Sequence, residues 1–206
     1  MVLERINSPE DLKHCSMGDL NTLAGEMRNF LIERASKHMG HVGPDLGFVE
    51  ATIALHRVFD TPKDKIVFDV SHQTYPHKML TGRKGAYMEE ASYDEVGPYT
   101  DPKESPYDLF SIGHTSTSID LALGLAKARD LLSGTEKVVA VIGDGSLSGG
   151  MALEGLSNAG EQESQLLIIL NDNEMSIAEN HGGMYKGLKR LRESNGQVED
   201  NLFRAM

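Results

Sequence analysis

Two short clusters of hard oxygen donors and glycines stand out in this chain. They are Gly143-Asp144-Gly145 and Asn171-Asp172-Asn173, with residues 146–170 between them. A carboxylate and a side-chain amide oxygen suit Mg²⁺ or Ca²⁺ and are poor ligands for zinc or copper. Mg²⁺ takes only one or two protein side chains and fills its octahedron with phosphate oxygens, backbone carbonyls and water. Gly143, Gly145, Gly149 and Gly150 let the backbone approach an anion, and a helix starting there offers free N–H groups. The chemistry expected is capture of a metal-bridged diphosphate, with Asp144 and Asn173 as the metal's side-chain ligands.

Three histidines extend that chemistry. His41, His72 and His114 each have Gly or Ser beside them, in segments read as loops at one edge of a sheet. Histidine titrates near neutrality and can move protons to and from a carbonyl or hydroxyl. A lone histidine is more often structural, and it is the group of three that favours a role in the site. His14, His38, His56, His77 and His181 have no such case. A metal pair at His72 and His77 is rejected, because Pro76 breaks any continuous helical face and no third ligand stands out.

The elements that must position these residues follow from patterning. Val138–Ile142 and Leu166–Leu170 are apolar runs without polar alternation, as in parallel strands covered on both faces. The crossover between them holds one helix (Met151, Leu153, Leu156, Ala159). The unit is β-α-β and right-handed by default, and it delivers Asp144 and Asn173 to one sheet edge, where open α/β sheets bind ligands.

Upstream, residues 8–38 read as one or two helices started by Ser8-Pro9-Glu10, with Gly40 as a left-handed cap. Gly43-Pro44 should hold the next residues out of helix, and a second helix spans about Leu46 to Val58. Lys65–Val70 is a strand candidate, Tyr75–Thr81 a short helix or turn, and residues 82–109 a long loop, functional or mobile. Helices follow over about Ile119–Leu132, Met184–Glu193 and from Glu199. The class is therefore α/β: one doubly wound, mainly parallel domain over 1–206 with helices on both faces. Three strands are few for such a sheet, so a following strand is expected outside this chain.

Composition narrows the partners. The net charge of −11 disfavours nucleic acid. No apolar run approaches the roughly 20 residues of a membrane span, and the N-terminus lacks a signal-peptide core, so cytoplasm is the expected compartment. Cys15 is the only cysteine, which excludes an intrachain disulfide and a cysteine zinc site. GDGSLSGG lacks the GxGxxG spacing of a dinucleotide fingerprint.

Gly-Asp-Gly followed at this distance by Asn-Asp-Asn resembles the thiamin diphosphate fingerprint of the transketolase, pyruvate dehydrogenase and decarboxylase families. Residues 40–83 (GHVGPDLGFVEATIALHRVFDTPKDKIVFDVSHQTYPHKMLTGR), GHTSTSIDLALGLAKARDL and NDNEMSIAEN are similar to the 1-deoxy-D-xylulose-5-phosphate synthase family in particular. The resemblance implies a thiamin diphosphate enzyme that decarboxylates pyruvate and joins the two-carbon unit to glyceraldehyde 3-phosphate, for isoprenoid and thiamin precursors. It implies Mg²⁺ on Asp144, Asn173 and the carbonyl of Met175. It places His72, Gly145 and Ser146 against the diphosphate, and Gly113, Ser116, Gly143, Ser176 and Ile177 at the cofactor. His41 and His114 would face the thiazolium carbon and the substrate carbonyl, with His72 the third catalytic histidine.

The similarity covers only the N-terminal, diphosphate-binding domain. Pyrimidine-binding and C-terminal domains are absent, and with them the glutamate that activates the aminopyrimidine. Gly43-Pro44-Asp45 replaces the small residues usual after the first Gly-His, which bears on the substrate pocket. The segment after NDNEMSIAEN is also shorter than usual. A homodimer, or association with a pyrimidine-binding domain, is expected. The alternative is a non-catalytic or split-subunit module that binds thiamin diphosphate and needs a partner chain for activity.

Overall fold

The computed structural model describes residues 1–38, 40–174 and 180–206. The chain gathers into two compact units. One holds Met1–Lys65 and Val70–Gly113, the other Ile66–Asp69 and His114–Met206.

The first unit is mostly helical. It contains α1 (Val2–Arg5), α2 (Pro9–Leu12), α3 (Met17–Lys37), α4 (Gly43–Gly47), α5 (Val49–Val58) and, after the strand β1 (Lys65–Phe68), α6 (Tyr75–Lys78) and α7 (Gly85–Met88). Ser8 starts α2 through a capping box with Asp11, and Ser16 starts α3 by accepting from the Asp19 N–H at 3.1 Å. Leu20, Leu23, Ala24, Met27 and Leu31 line one face of α3 and meet Val49, Ile53, Met79, Leu80 and Tyr87 in the core.

Three sequence expectations change here. Helix α3 ends on extended His38 rather than on a left-handed Gly40, which is absent from the positive-φ residues. Gly43–Gly47 is helical because Pro44 falls in the first turn, where its fixed φ suits a helix and its missing N–H costs nothing. The span read as one helix is therefore two, meeting at Phe48.

The segment read as a long loop is packed rather than featureless. It is built from a π-type turn (Met79–Arg83), α7 and a 3₁₀ turn (Glu90–Glu95), and it buries Ala86, Tyr87, Tyr93, Ser105 and Asp108. A buried polar chain pins it. Arg83 forks onto Asp108, with Nη1 to Oδ2 at 2.7 Å and Nη2 to Oδ1 at 2.8 Å, and the Asp101 N–H donates to Oδ2 at 3.0 Å. A carboxylate only accepts, so His77 Nε2–H donates to Asp108 Oδ1 at 3.0 Å. Burial lowers the His77 pKa, more than Asp108 raises it, so the ring is neutral. Its Nδ1 then accepts from His56 Nε2–H at 2.9 Å, and His56 Nδ1 accepts from the Thr61 hydroxyl at 3.1 Å. His77 thus has both ring nitrogens engaged by side chains.

The second unit carries a three-stranded sheet in the order β1-β2-β3, with β2 at Val138–Gly143 and β3 at Leu167–Asn171. Strands β2 and β3 are parallel, and Gly143 sits opposite Asn171. Helix α8 (Ser118–Leu131) precedes β2, and α9 (Asp144–Leu147) and α10 (Gly150–Gln162) form the crossover. Helices α11 (Gly183–Glu193) and α12 (Leu202–Ala205) follow β3. Strand β2 is buried along Val138–Ile142, as its unbroken apolar run requires. Strand β3 is only half-buried within this chain, so its similar run is not covered on both faces. Strand β1 also stops short of Val70, because Val70 and Ser71 turn to φ 58° and 66°. A β-branched residue in that region is strained by about 1–3 kcal/mol. The strain lies directly ahead of His72. The Ser71 hydroxyl holds it by donating to the Ile112 carbonyl at 3.1 Å and accepting from the Thr100 N–H at 2.9 Å. Among the described residues no helix is long and apolar enough to cross a membrane.

Candidate functional site

In the second unit the candidate site grows from the end of β2. The parallel register carries the chain off the sheet at Gly143 and Asn171 together, so Asp144 and Asp172 leave the same edge. Asp144 opens α9 and is buried. Burial first, then the charge of Asp172, raises its pKa; Asn180 works the other way, donating Nδ2–H to Oδ2 at 3.0 Å. Arg192 of α11 pairs with both Asp172 and Glu174. Asn173 is exposed one residue further on. Carboxylates crowded in a desolvated position are a setting that a hard cation relieves, and the donor set here is all oxygen. Among the described residues there is no group of three or more His, Cys, Asp or Glu placed to hold a metal. A metal here would therefore lean on amide, carbonyl and ligand oxygens. Met175, Ser176 and Ile177 lie outside the described residues.

Beside this edge stands the GHTSTS turn. Asp69, just past β1, accepts from the backbone N–H groups of Ser116, Thr117 and Ser118, each at 2.9 Å. One carboxylate thereby satisfies three donors at the start of α8. It also holds Ser116 at φ 70°. The Ser116 hydroxyl donates to the Ser146 carbonyl at 2.6 Å, tying the turn to the GDGS segment. Gly149 must be glycine here, since a Cβ would fall 1.9 Å from Ser116 Oγ. His114 is exposed; its Nδ1–H donates to the Thr115 carbonyl at 2.8 Å. In the neutral ring Nε2 then carries the lone pair and can accept a proton.

Asp69 belongs to the strand-end run DVSHQ, but nothing in its spacing to Ser116 announced the contact. Asp69→Ala is expected to cost about 2 kcal/mol or more, by removing a cap and taking the acceptor from three backbone donors, two of them buried. Urea unfolding measures this, and a loss below about 0.5 kcal/mol would show that the turn holds itself.

In the first unit His41 and His72 stack, their ring centroids 5.8 Å apart at an interplanar angle of 28°. They line a cavity together with Arg34, Gly40, Tyr75 and Tyr99. Gly113 is packed on Tyr99, whose ring lies 3.7 Å from where a Cβ would be. Asp45, in the unusual Gly-Pro-Asp stretch, is fully buried and accepts from the Tyr75 N–H through Oδ1 at 2.8 Å. Its Oδ2 has no hydrogen-bond partner among the described residues. Burial pushes its carboxyl well up, which favours the neutral form. Arg34 was missed from sequence: it occupies a core position of α3, where the helical pattern calls for an apolar residue.

The architecture is that of the transketolases. The transketolase from Leishmania mexicana superposes with a TM-score of 0.68 at 18% identity, over 90% of this chain and 34% of that one. More specifically, the chain belongs to the 1-deoxy-D-xylulose-5-phosphate synthase family, whose model matches residues 3–202. The synthase of Brevibacillus brevis is 50% identical over 194 residues, covering 94% of this chain and 31% of the relative. That of Natranaerobius thermophilus is 52% identical over 191 residues, covering 93% and 30%. The chain thus spans about a third of the length of the curated relatives it matches.

Proposed function

We propose that this chain is the diphosphate- and Mg²⁺-binding part of a thiamin diphosphate-dependent synthase. The synthase would join the two-carbon unit of pyruvate to glyceraldehyde 3-phosphate with loss of CO₂. The buried Asp144 carries the reading: it sits at the end of β2, in parallel register with the Asn171-Asp172-Asn173 edge of β3 and crowded by Asp172.

Asp144 and Asn173 would hold the metal, with Met175 contributing its carbonyl. Gly145 and Ser146 would lie against the diphosphate, and Gly143 and Ser116 would contact the cofactor, the Ser116 turn being held by Asp69. His72 would assist at the diphosphate. Bound thiamin diphosphate would supply a carbanion centre that attacks the keto carbon of pyruvate. His41 and His114 would move protons at the substrate carbonyl, and the lone pair placed on His114 Nε2 suits that role. Activity would need a pyrimidine-binding domain, in the same protein, in a homodimeric partner or in another chain. A cytoplasmic location fits these substrates.

Calorimetry tests the binding half of this reading. Thiamin diphosphate with Mg²⁺ should bind in clear preference to ADP with Mg²⁺. Equal affinity for both would point instead to a generic diphosphate module. Supplying the pyrimidine-domain part of a relative should then restore pyruvate decarboxylation, and its failure to do so would remove the synthase assignment.

A further inference from the structure

Arg34 is a buried cation with no ion-pair partner among the described residues. It is only 4% exposed, and among the described residues no carboxylate lies within ion-pair distance of it. Its guanidinium is held from three sides by the rings of Tyr75, Tyr87 and Tyr93, at 5.2, 5.1 and 5.5 Å from their centroids. Nε donates to the Ala86 carbonyl at 3.2 Å and Nη2 to the Tyr93 carbonyl at 2.8 Å. These bonds fix the plane of the guanidinium and leave the Nη1 side turned toward Gly40 and the Tyr75 hydroxyl. The neighbouring Asp45 makes no ion pair with it: its carboxyl is raised by burial, though the Arg34 charge works the other way, and its Oδ1 accepts from the Tyr75 N–H.

The Nη1 side borders the cavity. Its volume is about 280 Å³, and its walls include Arg34, Gly40, His41, His72, Tyr75 and Tyr99. That is near the lower end of ligand pockets, about 300–1,000 Å³, and suits a molecule of a few heavy atoms. A Cβ on Gly40 would come within 3.8 Å of Nη1 and 3.4 Å of the Tyr75 hydroxyl, so the glycine keeps the approach to the cation open. A desolvated guanidinium without an ion pair is costly, and it is the side chain best suited to carboxylate or phosphate. Tyr75 and His41 add donors on the same wall.

We propose that this cavity binds the anionic group of a small organic acid or phosphate ester, with Arg34 as its charge partner. Binding stands on the first unit alone. Only the further step, that the anion is a substrate of the synthase, rests on the reading above.

Titration of the chain without thiamin diphosphate or Mg²⁺, using pyruvate, glycerol 3-phosphate and uncharged glycerol, tests it. At least one of the two anions should bind and glycerol should not. Preference between them tells a carboxylate from a phosphate site. Arg34→Gln should weaken the bound anion by about tenfold or more. Gly40→Val should do the same with Arg34 in place, and it decides the matter alone if Arg34→Gln fails to fold. No binding of either anion, or unchanged affinity in the folded variants, overturns the proposal. Failure of the cofactor reading would show as equal binding of ADP and thiamin diphosphate and would leave these titrations unaltered.

Discussion

Asp144→Ala is expected to abolish Mg²⁺-dependent binding of thiamin diphosphate, with affinity falling by more than about 100-fold. Changes one shell out from a metal already cost about 10–100-fold, and among the described residues Asp144 is the only buried carboxylate at the β2–β3 edge. The same substitution should leave the stability of the metal-free chain unchanged or slightly raised. Burial and Asp172 both disfavour the charge on Asp144, so removing it relieves the folded state. The two readouts separate a ligand from a structural residue. Calorimetry gives the affinity, and urea midpoints with and without Mg²⁺ and cofactor give the stability. If Mg²⁺ and cofactor stabilise the variant as much as the wild type, Asp144 does not hold the metal.

The largest effect on stability should come from Asp108→Ala. Burial alone would raise the Asp108 carboxyl, but the His77 hydrogen bond and the Arg83 fork more than offset this and hold it far below the usual carboxylate range. Removing it takes the bidentate acceptor from Arg83, which keeps only Glu104 as an ion-pair partner at 3.2 Å among the described residues. It also removes the acceptor of the His77 Nε2 and Asp101 N–H bonds, a change worth about 3–5 kcal/mol for a broken buried pair. The acid response follows from the same chain. Burial lowers the pKa of both His56 and His77, so the folded state takes up fewer protons than the unfolded one. Stability is then full above the ordinary histidine value of about 6.5 and declines as pH falls below it. The Asp108 contribution has the same sign in a lower window, being lost only below the ordinary carboxylate value of about 4. Urea midpoints from pH 7.5 down to pH 5, about the range where histidines charge, should therefore fall steadily. A flat profile would contradict the neutral His56–His77 relay.

The sequence by itself determined the parts that depend on local pattern. The unbroken apolar run Val138–Ile142 could only be a covered strand, and its partner run had to lie parallel across a one-helix crossover. Strand ends in parallel pairs share an edge, so the meeting of the Gly-Asp-Gly and Asn-Asp-Asn segments was legible before any coordinates. Tertiary structure alone decided the rest, because those features depend on residues far apart in sequence. Asp69 reaches Ser116 across 47 positions and sets a left-handed turn that no local rule called for. Arg34 reads as a polar interruption of a helix until Ala86, Tyr93 and three tyrosine rings close around it. Residues 82–109 lack periodicity, because Arg83, Asp108 and His77 order them through side-chain pairing rather than through a repeating apolar face. Pattern reports burial on one face of one element. Polar networks and cavities come into being only when several elements meet.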